Sequence, residues 1–312
     1  MDLSKANIFV TGGAGTLGRA IARRRREEGW TGKMTVYSTD NHKHDFMRRI
    51  YPDVSFIQGD IRNGVTLLNA MVGHDIVIHA GAVKVIPDSE KDSIDTVDVN
   101  VYGSQNVCVA AIQANISHVL GISTDKACHP ANAYGATKML MEKIFQEFAR
   151  TESGTKFHLV RYGNVLESTG SVVEWWKKTA AMNQPIKITD PSMTRFWLSP
   201  RQAVEYVERA MDIEAGLIFV PKMPALSVGK LAGYVVGYEN SEIQRIPLRP
   251  GDKMHETLVT VEETARTEES DRDFIVYPST VTGMIFPDAK EAYTSDTARE
   301  LTEEELEELL ND

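Results

Sequence analysis

Cysteine is nearly absent from this sequence of 312 residues: Cys108 and Cys128 are the only two. Their spacing suits no common metal site, so neither a disulfide framework nor a metal centre is expected, and a reducing cytoplasm fits best. Cys128 reads as a small space-filling residue, with a reactive thiol as the alternative. Long apolar runs are missing too. No stretch approaches the ~18–20 residues needed to span a bilayer, and Met1 to Ala6 carry no apolar core of a secretory leader. A protein without a membrane partner is therefore expected. Positive charge is also short, with 34 basic against 44 acidic residues and a formal charge of -10. That balance argues against nucleic acid as the main partner, while leaving room for a local cationic pocket. There is no internal repeat and no low-complexity linker.

What is present is ordinary globular material, 42% hydrophobic and 25% charged, enough for one large domain or a domain with a smaller lobe. The first half alternates short apolar runs with amphipathic stretches, the pattern of parallel βαβ units. Strands are predicted at 8–10, 34–37, 54–57, 76–78, 119–122 and 157–160. Helices are predicted at 16–29, 93–114 and 134–150, with a short acidic helix at 302–310. Beyond Gly163 prolines cluster at 185, 191, 200, 221, 224, 247 and 250 and the rhythm turns irregular.

Thr11-Gly12-Gly13-Ala14-Gly15-Thr16-Leu17-Gly18 follows the first strand and opens the first helix. Gly12, Gly15 and Gly18 allow a tight turn, close approach of a pyrophosphate to backbone and close helix–strand packing. The helix N-terminus supplies free N–H groups for phosphate. Ala14, Thr16 and Leu17 complete the turn. Asp60 and Ile61 follow the third strand, where a carboxylate can accept from an adenine amino group; the bland alternative for Asp60 is a helix N-cap. Ala80 and Ala82, after the fourth strand, leave room for a cofactor to cross the sheet edge. At the second strand end Ser38, Thr39 and Lys43 suit a 2′-phosphate, whereas Asp40 suits a free ribose hydroxyl. NADP is the expected cofactor, with NAD as the alternative. The fold expected is α/β: a Rossmann-type doubly wound parallel sheet over residues 1–163, and a smaller substrate-binding lobe, interleaved with the sheet, over 164–312.

Tyr134 and Lys138 stand four apart at the start of a helix, hence on one face. A phenol whose pKa is lowered by a neighbouring ammonium can take a hydroxyl proton as a hydride leaves the same carbon. Thr124, Asp125 and Lys126 end the fifth strand, where α/β enzymes place their chemistry. Thr124 can hydrogen-bond a substrate hydroxyl. Asp125 and Lys126 add an acid and a base that simple alcohol oxidation or 4-epimerisation does not need; the alternative is a solvated salt-bridging loop.

The run Ser-Thr-Asp-Lys-Ala-Cys-His-Pro-Ala-Asn-Ala-Tyr-Gly-Ala-Thr-Lys at 123–138 closely resembles the UDP-N-acetylglucosamine 4,6-dehydratases that invert C5. These are extended short-chain dehydrogenases of bacterial polysaccharide biosynthesis. The resemblance continues through Val83-Lys84, Asn100, 160–165, 193–197, 219–222, 249–256 and 293–296, nearly the whole chain. It implies that Tyr134 takes the C4 hydroxyl proton and that Lys138 holds the nicotinamide ribose. Lys126 would remove the C5 proton, which requires a neutral amine, and Asp125 would assist departure of the C6 hydroxyl. It adds Lys84, Asn100 and Val165 to the cofactor contacts. For a UDP-sugar it implies Lys84, Asn164, Val172, Thr194, Arg195, Arg249, Glu256, Tyr293 and Asp296, with Glu256 at or beside the ribose. A homo-oligomer is implied as well. The chain departs from the family at Thr39, often arginine, and at Glu167, Thr169 and Glu174, often glycine, arginine and proline. The rival readings are an NDP-sugar 4-epimerase and a redox-sensing dinucleotide-binding protein without chemistry.

Overall fold

The computed structural model describes residues 2–166, 172–182, 184–237, 243–281 and 291–311. The chain begins with β1 (Ile8–Thr11), α1 (Thr16–Glu27), β2 (Met34–Ser38), α2 (Asn41–Ile50), β3 (Ser55–Gln58), α3 (Gly64–Met71) and β4 (Ile76–His79). It continues with α4 (Ile86–Lys91), α5 (Ser93–Val97), a π-helical stretch Asp98–Tyr102 and α6 (Gly103–Gln113). Next come β5 (His118–Thr124), a 3-10 turn Asp125–Ala127, α7 (Ala133–Phe148) and β6 (Lys156–Tyr162). The strands β1, β2 and β4 to β6 pair in parallel, from Val10 opposite Val36 to Thr124 opposite Tyr162. Every side chain of β1 and β4 is buried, because both faces of a parallel sheet are covered.

The later chain adds β7 (Asn164–Val165), α8 (Val172–Ala181), β8 (Ile186–Ile188), β9 (Thr194–Leu198), α9 (Pro200–Asp212) and β10 (Ile218–Pro221). It ends with β11 (Ala225–Ser227), α10 (Val228–Val236), β12 (Ile243–Arg245), β13 (Thr257–Val259), α11 (Val261–Thr264), β14 (Thr267–Glu269), β15 (Asp273–Val276), β16 (Tyr293–Thr294) and α12 (Glu303–Asn311). The large sheet runs β14-β15-β10-β6-β5-β4-β1-β2-β3. Its β3-β2-β1-β4-β5-β6 core is the doubly wound Rossmann order, and the crevice at its switch point lies between β1 and β4. Thus β10, β14 and β15, from the irregular-looking half, return to the main sheet. Of the rest of that half, α9 and β13 pack on the main core, while α8, α10 and α12 contribute to a second apolar cluster that includes Leu166, Trp176, Trp197, Leu231 and Leu306.

Two local expectations are corrected. The continuous helix expected over 93–114 is interrupted by the π stretch, whose wider turn carries the buried Asn100. Pro200, which suggests irregular chain, instead opens α9, where a missing N–H costs nothing; Ser199 and Gln202 form its capping box.

Candidate active site

A cleft of about 1300 Å³ runs across the C-terminal edge of the sheet. Gly12, Ala14, Gly15, Thr16 and Leu17 line one end. Gly12 has φ +64°, and a Cβ there would stand 2.6 Å from Gly81 Cα, so only glycine fits between these two loops. Gly18 does not line the cleft; a Cβ on it would overlap the backbone of Gly13, so it serves helix–strand packing. No side chain caps α1 at Gly15, which leaves its first-turn N–H groups facing the cleft for an anion. Below the turn, His79 bridges Thr11 Oγ1 (2.7 Å) and Ser104 Oγ (2.9 Å). Burial, with help from the Lys138 charge, pushes it down to about 3, so it stays neutral.

Ser38, Thr39, Lys43, Asp60, Ile61, Ala80, Ala82, Lys84 and Val165 also line the cleft, and Asn100 does not. Asn100 instead locks the chain around it, joining the Val83 backbone and Thr137 Oγ1 at 2.8–3.0 Å. Asp60 is not an N-cap, since Asn63 caps α3; its carboxylate holds Arg62 at 2.6 Å, and Arg62 reaches Asp95. Asp40 and Lys43, read as opposing selectors, are paired at 2.9 Å, and the Asp40 carboxylate also caps α2. Desolvation, then repulsion from Lys43 and Arg19, lowers the Lys84 ammonium below the usual lysine range. An anionic ligand would relieve that repulsion. A dinucleotide pyrophosphate fits this uncapped, glycine-walled, locally cationic end.

At the middle of the cleft Thr124, Lys126, Tyr134 and Lys138 share one wall, with the fully buried Asp125 behind them. Asn132 caps α7 through Gly135 N, which fixes Tyr134 and Lys138 in its first two turns. Thr124 Oγ1 donates to Asp125 Oδ1 (2.8 Å), and Lys126 Nζ donates to the same oxygen (2.9 Å) and to Asn164 Oδ1 (3.4 Å). Burial raises the Tyr134 phenol, while the Lys126 charge and a hydrogen bond with Thr124 oppose that rise. Burial pushes Lys138 down to about 8, partly offset by Glu142. Lys126 departs from expectation. Desolvation pulls its pKa down, but Asp125 and then Glu256 outweigh it and raise the ammonium above its ordinary value. Lys126 is therefore charged at neutral pH.

Beneath this wall lies a buried charge cluster that sequence reasoning missed. Arg161 on β6 grips Glu142 of α7 with two bonds (2.8 and 2.9 Å) and Glu263 of α11 with two more (2.8 and 3.0 Å). Burial would raise Glu263, but the charge and hydrogen bonds of Arg161 hold it down to about 2. The cluster ties the Tyr134 helix to the sheet and to the chain that follows β13.

Of the other residues expected to meet a substrate, Asn164, Val172, Arg195 and Arg249 line the cleft; Thr194, Glu256, Tyr293 and Asp296 do not. Thr194 bonds His255 and Ser295. Tyr293 donates to Met223 O and packs on Phe196 and Phe274. Glu256 is drawn to Lys126 and Arg195 rather than standing open to a ribose. Arg195 also donates to the carbonyls of Lys253, Thr194 and Met254, while Arg249 is exposed and pairs with Asp252. Glu167 and Thr169 lie outside the described residues, and Glu174 pairs with Lys178 on α8. Trp175, beside it, was not singled out from sequence and presents an exposed ring to the cleft. Among the described residues there is no His, Cys, Asp and Glu cluster able to hold a metal, and no helix is long and apolar enough to cross a membrane.

Fold and site together define a Rossmann-type enzyme of the nucleotide-sugar dehydratase and epimerase class of short-chain dehydrogenases. Residues 8–278 match the family described as polysaccharide biosynthesis protein, and the chain belongs to that family. It is 35% identical over 283 residues to a UDP-N-acetylglucosamine 4,6-dehydratase (inverting) of Campylobacter jejuni, covering 88% of this chain and 84% of that one. It is also 35% identical over 322 residues to a UDP-glucose 4-epimerase of Rickettsia bellii, covering 97% and 94%. The X-ray structure of Pen from Bacillus thuringiensis superposes with a TM-score of 0.90 at 31% identity, covering 100% of this chain and 98% of that one.

Proposed function

We propose that this protein is a 4,6-dehydratase of UDP-N-acetylglucosamine or a close UDP-sugar, giving a 4-keto-6-deoxy product with inversion at C5. The observation that carries the reading is the Lys126–Asp125 pair at 2.9 Å, on the same cleft wall as Tyr134 and Lys138. Removing water requires an acid and a base in addition to the tyrosine that serves oxidation at C4. A bound NADP, or NAD, would accept hydrogen from C4 and return it at C6. The turn Gly12–Leu17 with Ser38, Thr39, Lys43, Asp60, Ile61, Ala80, Ala82, Lys84 and Val165 would hold it. Tyr134, once it has lost its own proton to solvent as a phenolate that the Lys126 charge favours, takes the C4 hydroxyl proton, with Thr124 orienting that hydroxyl. Lys126 passes its proton to Asp125, then takes the C5 proton that the C4 ketone has made acidic. Asp125 returns a proton to the departing C6 hydroxyl. Arg195 and Arg249 suit the diphosphate, since a guanidinium can bind two oxygens at once. Residues 1–163 serve the dinucleotide and 164–312 the sugar nucleotide. The same reading includes a homo-oligomer acting in the cytoplasm.

The Rickettsia relative supports a second reading, 4-epimerisation. That reaction uses Tyr134 but gives no work to Asp125 and Lys126. UDP-N-acetylglucosamine deuterated at C4 decides between them. The dehydratase yields a product lighter by one water and carrying deuterium on its C6 methyl, with solvent hydrogen at C5. Unchanged mass with deuterium back at C4 establishes the epimerase, and no turnover of any UDP-sugar leaves a binding protein.

A further inference from the structure

Lys126 is held between two carboxylates, and the chemistry above uses only one. Its Nζ lies 2.9 Å from Asp125 Oδ1 and 3.4 Å from Glu256 Oε1. Asp125 is fully buried and Glu256 is 3% exposed. The second oxygen of each, Asp125 Oδ2 and Glu256 Oε2, is buried without a hydrogen-bond partner. Burying a carboxylate and leaving one oxygen unpaired is costly unless a nearby cation compensates. The position of Glu256 is enforced: its N–H donates to Ser295 Oγ (2.9 Å), and Arg195 fastens the carbonyls of Lys253 and Met254 just before it. Arg195 Nε stands 3.6 Å from Glu256 Oε1, on a side chain that also lines the cleft.

We propose that Glu256 is a positioning residue that keeps a proton on Lys126 and so sets the pH range over which the Lys126–Asp125 pair retains the one proton it shuttles. Its consequence for turnover rests on the dehydratase reading; its electrostatics do not. The neutral amine forms when a proton crosses from Lys126 Nζ to Asp125 Oδ1, breaking N–H and forming O–H, with no proton leaving the site. Lys126 then takes the C5 proton, the C–H electron pair becomes the C5–C6 double bond, the C6–O bond breaks, and the Asp125 proton leaves with the oxygen as water. Ammonium and carboxylate are thereby restored. Glu256 opposes the first transfer, because its charge favours the ammonium. Arg195 screens Glu256 and works the other way. The remaining neighbours, Asn164 on β7 and Tyr134 on α7, are neutral in the resting site.

Lysine side-chain NMR on the whole protein tests this directly, with the Lys126 signal assigned by its loss in Lys126→Met. Glu256→Gln lowers the Lys126 titration midpoint by about 1–3 units, the range for removal of one adjacent opposite charge. Glu256→Asp, which keeps the charge on a shorter arm, moves it the same way by less, and decides the matter if the glutamine variant fails to bind dinucleotide as a folded protein. An unmoved midpoint overturns the proposal. In turnover of UDP-N-acetylglucosamine, the falling limb of kcat against pH, where solvent removes the proton that Lys126 and Asp125 share, shifts to lower pH in Glu256→Gln, with the change confined to kcat. A shifted midpoint with an unshifted limb overturns the catalytic half. A wild-type protein that removes water from no UDP-sugar overturns the dehydratase reading, while the NMR result still decides the role of Glu256.

Discussion

On the dinucleotide wall of the cleft the polar groups facing inward include backbone N–H groups, at the Gly12–Gly15 turn and the uncapped start of α1, beside side chains such as Ser38, Lys43, Asp60 and Lys84. On the substrate wall they are charged side chains already paired with one another: Lys126 with Asp125 and Glu256, Arg195 with Glu256, and Arg249 with Asp252. A backbone site is insensitive to pH and tolerates no added atoms. A site of paired charges accepts changes of volume but responds to every change of charge, because each deletion leaves a buried partner uncompensated. The two walls should therefore fail in different ways.

The largest effect is expected from Lys126→Ala. Loss of the proton-transfer group lowers kcat by about 10²–10⁴-fold, the usual contribution of general acid–base catalysis. Dinucleotide affinity, measured by fluorescence titration, stays unchanged, since Lys126 lies off the glycine turn. A fall in that affinity parallel to the fall in kcat would break the distinction between the walls.

Gly12→Ala probes the other wall and should do the reverse. Its Cβ meets Gly81 Cα at 2.6 Å in a backbone conformation with φ +64°. Relieving that overlap moves the turn away from the sheet edge, at roughly 1–3 kcal/mol of stability in thermal unfolding. Dinucleotide affinity drops by about tenfold, or about 1.4 kcal/mol. The pH dependence of turnover keeps its shape, because no ionisable group has changed. A shifted pH profile in this variant would show that the glycine turn and the charge network are mechanically coupled.

The same contrast explains what the sequence disclosed. The β1 turn lies in eight consecutive residues, and Tyr134 and Lys138 lie within two turns of one helix, so local spacing carried them. Tertiary pairs leave no such trace. The partners of Arg161 lie 19 and 102 residues away, and nothing in the neighbourhood of Glu142 or Glu263 marks them as its carboxylates. The charge state of Lys126 was legible only in part: Asp125, the larger cause of its raised pKa, is adjacent in sequence, but Glu256 arrives on the loop before β13. The π stretch around Asn100 was hidden because its residues continue an ordinary helical pattern. Prolines after Gly163 were legible as breaks but not as helix openings, which depend on the cap at Ser199.

The smallest effect is expected at Lys43, in one of the exposed ion pairs on the dinucleotide wall. Lys43 and Asp40 stand 2.9 Å apart, with side chains 45% and 37% exposed, so their mutual attraction is weak in solvent. A 2′-phosphate would draw the ammonium away from Asp40 and gain a charge-assisted hydrogen bond. Lys43→Ala removes that gain and frees Asp40 to accept from a ribose hydroxyl. Affinity for NADP should fall by roughly tenfold or less, the scale of one partly screened charge contact, while NAD binds as well or slightly better. Parallel titrations with both dinucleotides measure the change in their ratio, which is insensitive to any general loosening of α2. If both affinities fall together, Lys43 supports the wall without reading the 2′ position, and Ser38 and Thr39 are left as the groups that face it.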